Sequence, residues 1–131
     1  MITNFSSGGT KISAAVSASN QVTQTTAGTT TVTVYTAPAN AYALVNLNYY
    51  CTATAGASQS AQATILIGNV NFSAAYASGV TSSNGTVNVP LVSSGVVVGP
   101  GQSVQVRGFV SAGTNNATAF CSISGLEFTN A

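Results

Sequence analysis

The side chains that could perform chemistry are few in this chain of 131 residues. It contains one lysine, one arginine and one glutamate, and it has neither aspartate nor histidine. General acid–base catalysis needs a titrating group and a partner that tunes it, and glycoside hydrolysis normally uses two carboxylates. The single side-chain carboxylate, Glu127, cannot supply a pair, and the missing histidine excludes a Ser-His-Asp or Cys-His arrangement. The composition therefore predicts a protein that is not an enzyme and that uses no cofactor.

Two cysteines, Cys51 and Cys121, are the remaining candidates for a nucleophile or a metal ligand. Two thiols without histidine, aspartate or a further cysteine do not make the usual ligand set of a zinc site. Both residues fall in strand-like segments of a chain that we expect to be made in a cytoplasm. We therefore predict buried free thiols, and a disulfide stays open as an alternative only if the two strands pair.

Arg107 and Glu127 are nearly the only opposite charges that the chain offers. We hypothesise that they form an ion pair, within one subunit or between subunits. The alternative is that each side chain points to solvent. Lys11 is the only other basic residue, and two basic side chains cannot build the patch that phosphate contacts require. The sequence thus predicts no nucleic-acid partner.

The tyrosines suggest a role at a surface. Tyrosine is enriched at protein interfaces, and tyrosine rings stack on sugar rings in carbohydrate-binding sandwiches. Tyr49 and Tyr50 are adjacent, so in a strand they face opposite ways and only one of them can belong to the core. We take Tyr35, Tyr42, Tyr50 and Tyr76 as candidate interface or glycan-facing aromatics. The alternative is that most of them pack in the core or between subunits.

An alternating pattern predicts the elements that position these groups. Over residues 42–54, Ala43, Val45, Leu47, Tyr49 and Cys51 fall on one face, as in a half-buried strand. Helices are disfavoured because β-branched residues abound while Glu, Lys and Arg are nearly absent. The sequence therefore predicts strands throughout.

Turn residues divide the chain into about eight short strands. Gly68-Asn69 and Asn84-Gly85 predict tight hairpins, since both dipeptides accept positive φ angles. Gly108 and Gly125 are predicted as bulges, and Pro90 confines its strand to a sheet edge or a bulge. This spacing favours an all-β fold, an antiparallel β-sandwich or jelly roll.

The N-terminal residues differ in composition from the rest of the chain. Residues 1–28 are rich in Ser, Thr, Ala, Gln and Gly, with only weak alternation around Ile12, Val16 and Val22. We predict an extended arm or a loosely held edge segment there, outside the core, followed by one β-sandwich domain over residues 29–131.

The low content of charged residues indicates how much of the surface is covered by neighbouring molecules. Charged residues make up 2% of this chain, against about 25% in soluble domains. A net charge of +1 gives little repulsion between copies, which favours association. No segment approaches the roughly 18 consecutive apolar residues of a membrane span, and the first residues do not read as a secretory signal. We expect a subunit made in a cytoplasm, away from membranes, whose surface is largely covered by neighbours.

Three motifs, in order, resemble one family of structural domains. They are Val34-Tyr35-Thr36-Ala37-Pro38-Ala39-Asn40-Ala41 before a long alternating strand, Asn88-Val89-Pro90-Leu91 followed by the 98–106 hairpin, and the closing strand 121–128. Together, over about residues 30–128, they resemble the small β-sandwich domains of tailed-bacteriophage virion proteins. Asn40 departs from the family, which commonly has Gly and then a basic residue there. The resemblance implies a capsid decoration or cement protein, a head fibre, or a neck or tail component.

We therefore predict a virion structural protein that decorates or cements a phage capsid. It is expected to form a homotrimer and to contact the major capsid protein or other virion proteins, after assembly in the host cytoplasm. Two alternatives stay open: a head-fibre, neck or tail component, and, from a different class, a carbohydrate-binding module that presents Tyr and Asn to a host glycan. A secreted filament subunit fits less well because no signal segment is recognised.

Overall fold

A computed structural model describes residues 10–78, 85–113 and 115–130, and its regular elements are all strands. They are β1 Thr10–Gln24, β2 Gly28–Thr36, β3 Ala41–Ala55, β4 Ser60–Ile67, β5 Val70–Ser78, β6 Gly85–Val98, β7 Ser103–Val110 and β8 Asn116–Asn130. The predicted all-β fold of about eight strands is confirmed. The strands are not all short, because β1, β3 and β8 have 15 residues each. Within the described ranges no helix is long and apolar enough to cross a membrane.

The strands form two four-stranded antiparallel sheets that pack face to face. Sheet 1 has the order β1-β8-β3-β6, and sheet 2 has the order β2-β7-β4-β5. The first strand pairs with the last, the second with the seventh, the third with the sixth, and the fourth with the fifth. This is the pairing of one long hairpin folded over on itself, so the sandwich is a jelly roll.

The core is built from the inward-facing residues of alternating strands. Burial in β3 alternates along its whole length, and the face predicted to be buried is the buried one. The same alternation runs through β7, where Val104, Val106 and Val110 are buried. The largest fully buried side chains include Leu47, Ile65 and Ile123. Most other buried residues are alanine or valine, which fits the aliphatic, charge-poor composition.

The N-terminal segment contributes to the sandwich through β1. This strand lies at one edge of sheet 1 and pairs with β8 from Thr10↔Asn130 to Gln24↔Ala117. Val16 and Val22 are buried in the core cluster, although the weak alternation around them placed the segment outside the core. Residues 1–9 lie outside the described residues.

Two predicted turns and the predicted position of Pro90 can be compared with strands β4, β5 and β6. Gly68 and Asn69 have φ angles of 60° and 65° and connect β4 to β5, so the predicted tight hairpin is confirmed. The Asn84-Gly85 turn lies largely outside the described residues, and Gly85 begins β6. Pro90 lies in β6 at the edge of sheet 1, as its missing N–H group requires.

The bulges predicted at Gly108 and Gly125 are wrong, because the ladders run in register at both positions. Each glycine is explained by a close approach instead. A Cβ atom at Gly125 would lie 2.1 Å from the backbone oxygen of Leu44, and one at Gly108 would lie 2.9 Å from the Cβ of Gln24.

The actual irregularities all involve edge strands. Register shifts occur between Ile12 and Ala14, Thr33 and Tyr35, Val45 and Leu47, and Ile65 and Leu66. These shifts belong to the pairs β1–β8, β2–β7, β3–β6 and β4–β5, each of which contains one edge strand. The interior pairs β3–β8 and β4–β7 run without a shift over the described residues.

Candidate functional surfaces

Glu127 lies on β8 and belongs to the inward-facing residues of sheet 1. Its register partner on β3 is the fully buried Ala43. The hydroxyl of Tyr35, from β2 in sheet 2, donates a hydrogen bond of 2.5 Å to its carboxylate. Burial, this hydrogen bond and the charge of Glu127 raise the pKa of Tyr35 above its ordinary value. The one acidic side chain therefore joins the two sheets from inside.

Arg107 lies outside the space between the sheets that holds this bond. It alternates with the buried Val106 along β7, so it projects from the outer face of sheet 2. Its register neighbours are Thr31 on β2 and Thr64 on β4. The structure therefore does not bring Arg107 and Glu127 together within one chain, and a pairing between subunits stays a hypothesis.

The candidate tyrosines divide among three places. Tyr35 faces inward, as described. Tyr42 and Tyr50 lie on the outer face of sheet 1, where each stacks on a phenylalanine of β8: Phe128 at 5.3 Å between ring centroids and Phe120 at 5.5 Å.

Tyr76 lies on the opposite outer face, that of sheet 2, and is 56% exposed. Tyr49, the neighbour of Tyr50, is buried and meets Phe72 edge to face. The expectation that only one residue of the Tyr49–Tyr50 pair is core is thus confirmed.

The two cysteines are free and buried, as predicted. Cys51 stands opposite Ala119 and Cys121 opposite Tyr49, so the thiols occupy diagonal positions on adjacent strands. Diagonal cross-strand residues lie about 7–8 Å apart, which is beyond ordinary disulfide geometry. Burial raises the pKa of Cys51 to about 11 and that of Cys121, also raised by the Cys51 charge, to about 12. Such thiols are poor nucleophiles at neutral pH.

Exposed apolar side chains concentrate at one end of the outer face of sheet 1. We call Ile12, Tyr42, Leu44, Val97 and Leu126 the apolar patch; their exposed fractions are 60%, 37%, 43%, 57% and 38%. Leu126, Leu44 and Val97 form one cross-strand row. Ile12 and Tyr42 flank Phe128 in the next row, so the members are contiguous.

The rest of this face is uncharged and mixes polar residues with the Tyr50–Phe120 pair and the exposed Val92, which lies opposite Asn48. Beyond the apolar patch, Ser124 lies between Ser17 and Asn46, and Ser122 lies next to Asn48. Lys11 alternates with Ile12, Glu127 faces inward and Arg107 belongs to sheet 2, so none of the charged side chains projects from this face.

Sequence reasoning found part of this surface. The alternation over residues 42–54 separates Tyr42 and Leu44 from the core face. It does not reveal that Leu126, Val97 and Ile12 join them, because that depends on the pairing register of strands far apart in the chain.

The outer face of sheet 2 has a different chemistry. One row consists of Thr29, Phe109, Gln62 and Tyr76, the next of Thr31, Arg107, Thr64 and Ala74, and the third of Thr33, Gln105, Leu66 and Asn71. Thr64 is fully buried, and its hydroxyl has no hydrogen-bond partner. This face therefore combines aromatic rings, amides and threonine hydroxyls around the only arginine of the chain.

The described part of the chain has no cluster of side chains suited to binding a metal ion. Among the described residues, no three His, Cys, Asp or Glu side chains are grouped so that they could hold an ion.

Neither the comparison with protein-family models nor the search of curated proteins finds a match to this chain. The resemblance to phage virion domains therefore rests on the sequence motifs alone, and the function is argued from the surfaces.

Proposed function

We propose that this protein is a virion structural subunit that decorates or cements a phage capsid, and that it assembles through the outer face of sheet 1. The observation that carries the proposal is the contiguous apolar patch on a face without charged side chains. Jelly rolls recur in capsid proteins as well as in lectin domains and cupins, which is support by analogy only.

The apolar patch supplies a driving force for contact with a neighbour. Complete burial of an aliphatic or aromatic side chain contributes about 1.5–3 kcal/mol. Leu44 and Val97 still expose 43% and 57% of their surface, so covering each would contribute about 1 kcal/mol. Ile12, Tyr42 and Leu126 add to this sum because they lie in the same two rows.

The size of the face matches what a stable contact needs. Four strands at about 4.8 Å spacing and about 15 residues at 3.3 Å each give a face of roughly 900 Å². A standard protein–protein interface buries about 800 Å² on each partner. One sheet face is thus large enough for a specific interface.

Electrostatics does not oppose the association. Burying an ion costs several kcal/mol, and this face has no charged side chain to bury. Its central serines and asparagines can hydrogen-bond across a contact. We propose neighbouring copies of this chain as the occupant, in a closed homotrimer that binds the major capsid protein or other virion proteins by its remaining surface.

Sedimentation of the full chain tests the proposed contact. Wild type should sediment as a trimer, and Leu44→Gln or Val97→Thr should shift it toward monomer with an unchanged circular dichroism spectrum. The matched control is Val70→Thr, which changes an even more exposed valine, 67% exposed, at the β4–β5 hairpin. A wild type that stays monomeric at high concentration overturns the assembly. Patch variants that remain trimeric overturn the choice of face.

Immunogold electron microscopy tests the location on the particle. Label spread over the capsids of virions that encode this chain supports decoration or cementing. Label confined to fibres, neck or tail supports the alternative component types, and unlabelled virions contradict the proposal altogether.

A further inference from the structure

Among the described residues, Arg107 is a cation without an acidic partner in its own subunit. The only acidic side chain of the sequence is Glu127, which accepts the Tyr35 hydrogen bond inside the sandwich. Arg107 projects from the opposite sheet between two threonines, Thr31 and Thr64. A guanidinium group carries five donors arranged to bind a carboxylate through two parallel hydrogen bonds. An anionic partner for Arg107 would therefore have to come from another molecule.

Two aromatic rings share the outer face of sheet 2 with this cation. Phe109 is the next outward residue on β7, and Tyr76 stands two strands away in the same row, with Gln62 between them. Strands are about 4.8 Å apart, so these two side chains start roughly 10 Å from each other. Tyr76, 56% exposed, is the most exposed aromatic side chain of the described residues. An exposed ring next to amides is suited to stacking on a sugar and fixing its hydroxyls.

Neutral polar groups occupy several other positions of the face. Gln105 lies beyond Arg107 on β7, and its side-chain nitrogen is 3.4 Å from the hydroxyl of Thr33, a long and weak hydrogen bond. Thr31, the register neighbour of Arg107 on β2, is exposed and offers its hydroxyl beside the arginine. Accessible hydroxyl and amide groups therefore lie beside the arginine, as a polyhydroxylated ligand would require.

We propose that the outer face of sheet 2 binds an acidic glycan, a sugar chain bearing a carboxylate, with Arg107 binding the carboxylate and Tyr76 and Phe109 packing on the sugar rings. Charge complementarity favours this occupant over a neutral sugar, because the face carries a cation and no acidic side chain among the described residues. It favours a sugar over nucleic acid, because one arginine cannot neutralise a run of phosphates. This surface is on the opposite side from the apolar patch, so the inference does not depend on the proposed function.

Titration calorimetry on the full chain tests the proposal with sialyllactose, a glucuronic-acid disaccharide and lactose as the neutral probe. The acidic sugars should bind and lactose should bind about tenfold more weakly or not at all. Arg107→Ala should weaken acidic-sugar binding about tenfold or more, as expected for a lost charge-assisted pair. Tyr76→Ala should weaken binding of every sugar that binds, whereas Tyr76→Phe should retain it.

Lys11→Ala is the matched control, since it removes the only other basic side chain from a different place. It should leave binding unchanged, and equal losses with Lys11→Ala and Arg107→Ala would mean nonspecific attraction and overturn the site. If Arg107→Ala does not fold, Arg107→Lys provides the test, because it keeps the charge and loses the two-point geometry. No acidic-sugar binding, or binding only of a Glu-rich peptide used in parallel, overturns the glycan assignment. Sedimentation of the same samples reports separately on assembly.

Discussion

At the scale of single residues, the molecule contains polar groups that burial or a hydrogen bond keeps neutral. Thr64 has a buried hydroxyl without a hydrogen-bond partner, and the two cysteines keep their protons because burial disfavours the thiolates. Tyr35 is neutral for a related reason, since its hydroxyl donates to the only acidic side chain. The stability of the fold should respond to these groups individually.

Thr64→Val should stabilise the protein by about 1 kcal/mol. The substitution replaces an unsatisfied buried hydroxyl by a methyl group of similar size, which removes a desolvation cost. Urea unfolding of both proteins measures the difference. Thr64→Ser is the control, because it keeps the hydroxyl and loses the methyl group, and it should destabilise. A Thr64→Val variant less stable than wild type would mean that the hydroxyl has a partner.

Stability should fall as the pH rises above 9. The ordinary pKa of the thiols is 9.0, and burial raises it to about 11 for Cys51 and about 12 for Cys121. Between these values the unfolded chain loses protons that the folded chain retains, so the free energy of unfolding decreases with pH. The loss should be on the order of 1 kcal/mol per thiol at pH 10.

Urea unfolding at pH 8, 9 and 10 measures this dependence. Tyr35, whose pKa is also raised, adds to the loss only above its ordinary value of 10.0. The double variant Cys51→Ala/Cys121→Ala should show a flatter dependence whatever its absolute stability. An unchanged slope in the double variant would contradict the role of the thiols.

At the scale of elements, the contact between β3 and β8 holds sheet 1 together. These two interior strands pair over their whole lengths without a register shift. Gly125 lies where β8 passes so close to β3 that a side chain has no room. The sequence pattern identified this glycine as special but assigned it to a bulge, because a bulge and a close approach leave the same mark on a sequence.

Gly125→Ala should therefore destabilise the protein by about 3 kcal/mol or prevent folding. The added Cβ atom would meet the Leu44 oxygen at 2.1 Å, and neither backbone can move without breaking the ladder. Thermal unfolding compares this variant with Gly113→Ala, whose added Cβ atom would lie at an ordinary 3.7 Å from its nearest neighbour. Equal melting temperatures for the two variants would contradict the close approach.

At the scale of the whole molecule, the sequence predicted the fold class and the two-faced strands, but not their arrangement. Alternation along β3 is a local signal, so the buried set from Ala43 to Cys51 was predictable. The pairing of β1 with β8 joins opposite ends of the chain and leaves no local mark, which is why Val16 and Val22 were not expected in the core. The apolar patch and the surroundings of Arg107 were missed for the same reason, since both depend on cross-strand register.

The four register shifts have a consequence for such a charge-poor protein. Proteins commonly protect open sheet edges with lysines, but this chain has only one. Each edge strand here instead contains or faces an irregularity in its ladder. A kinked border is a poor template for another strand to copy. The molecule can thus expose an apolar sheet face without polymerising through edge-to-edge strand pairing.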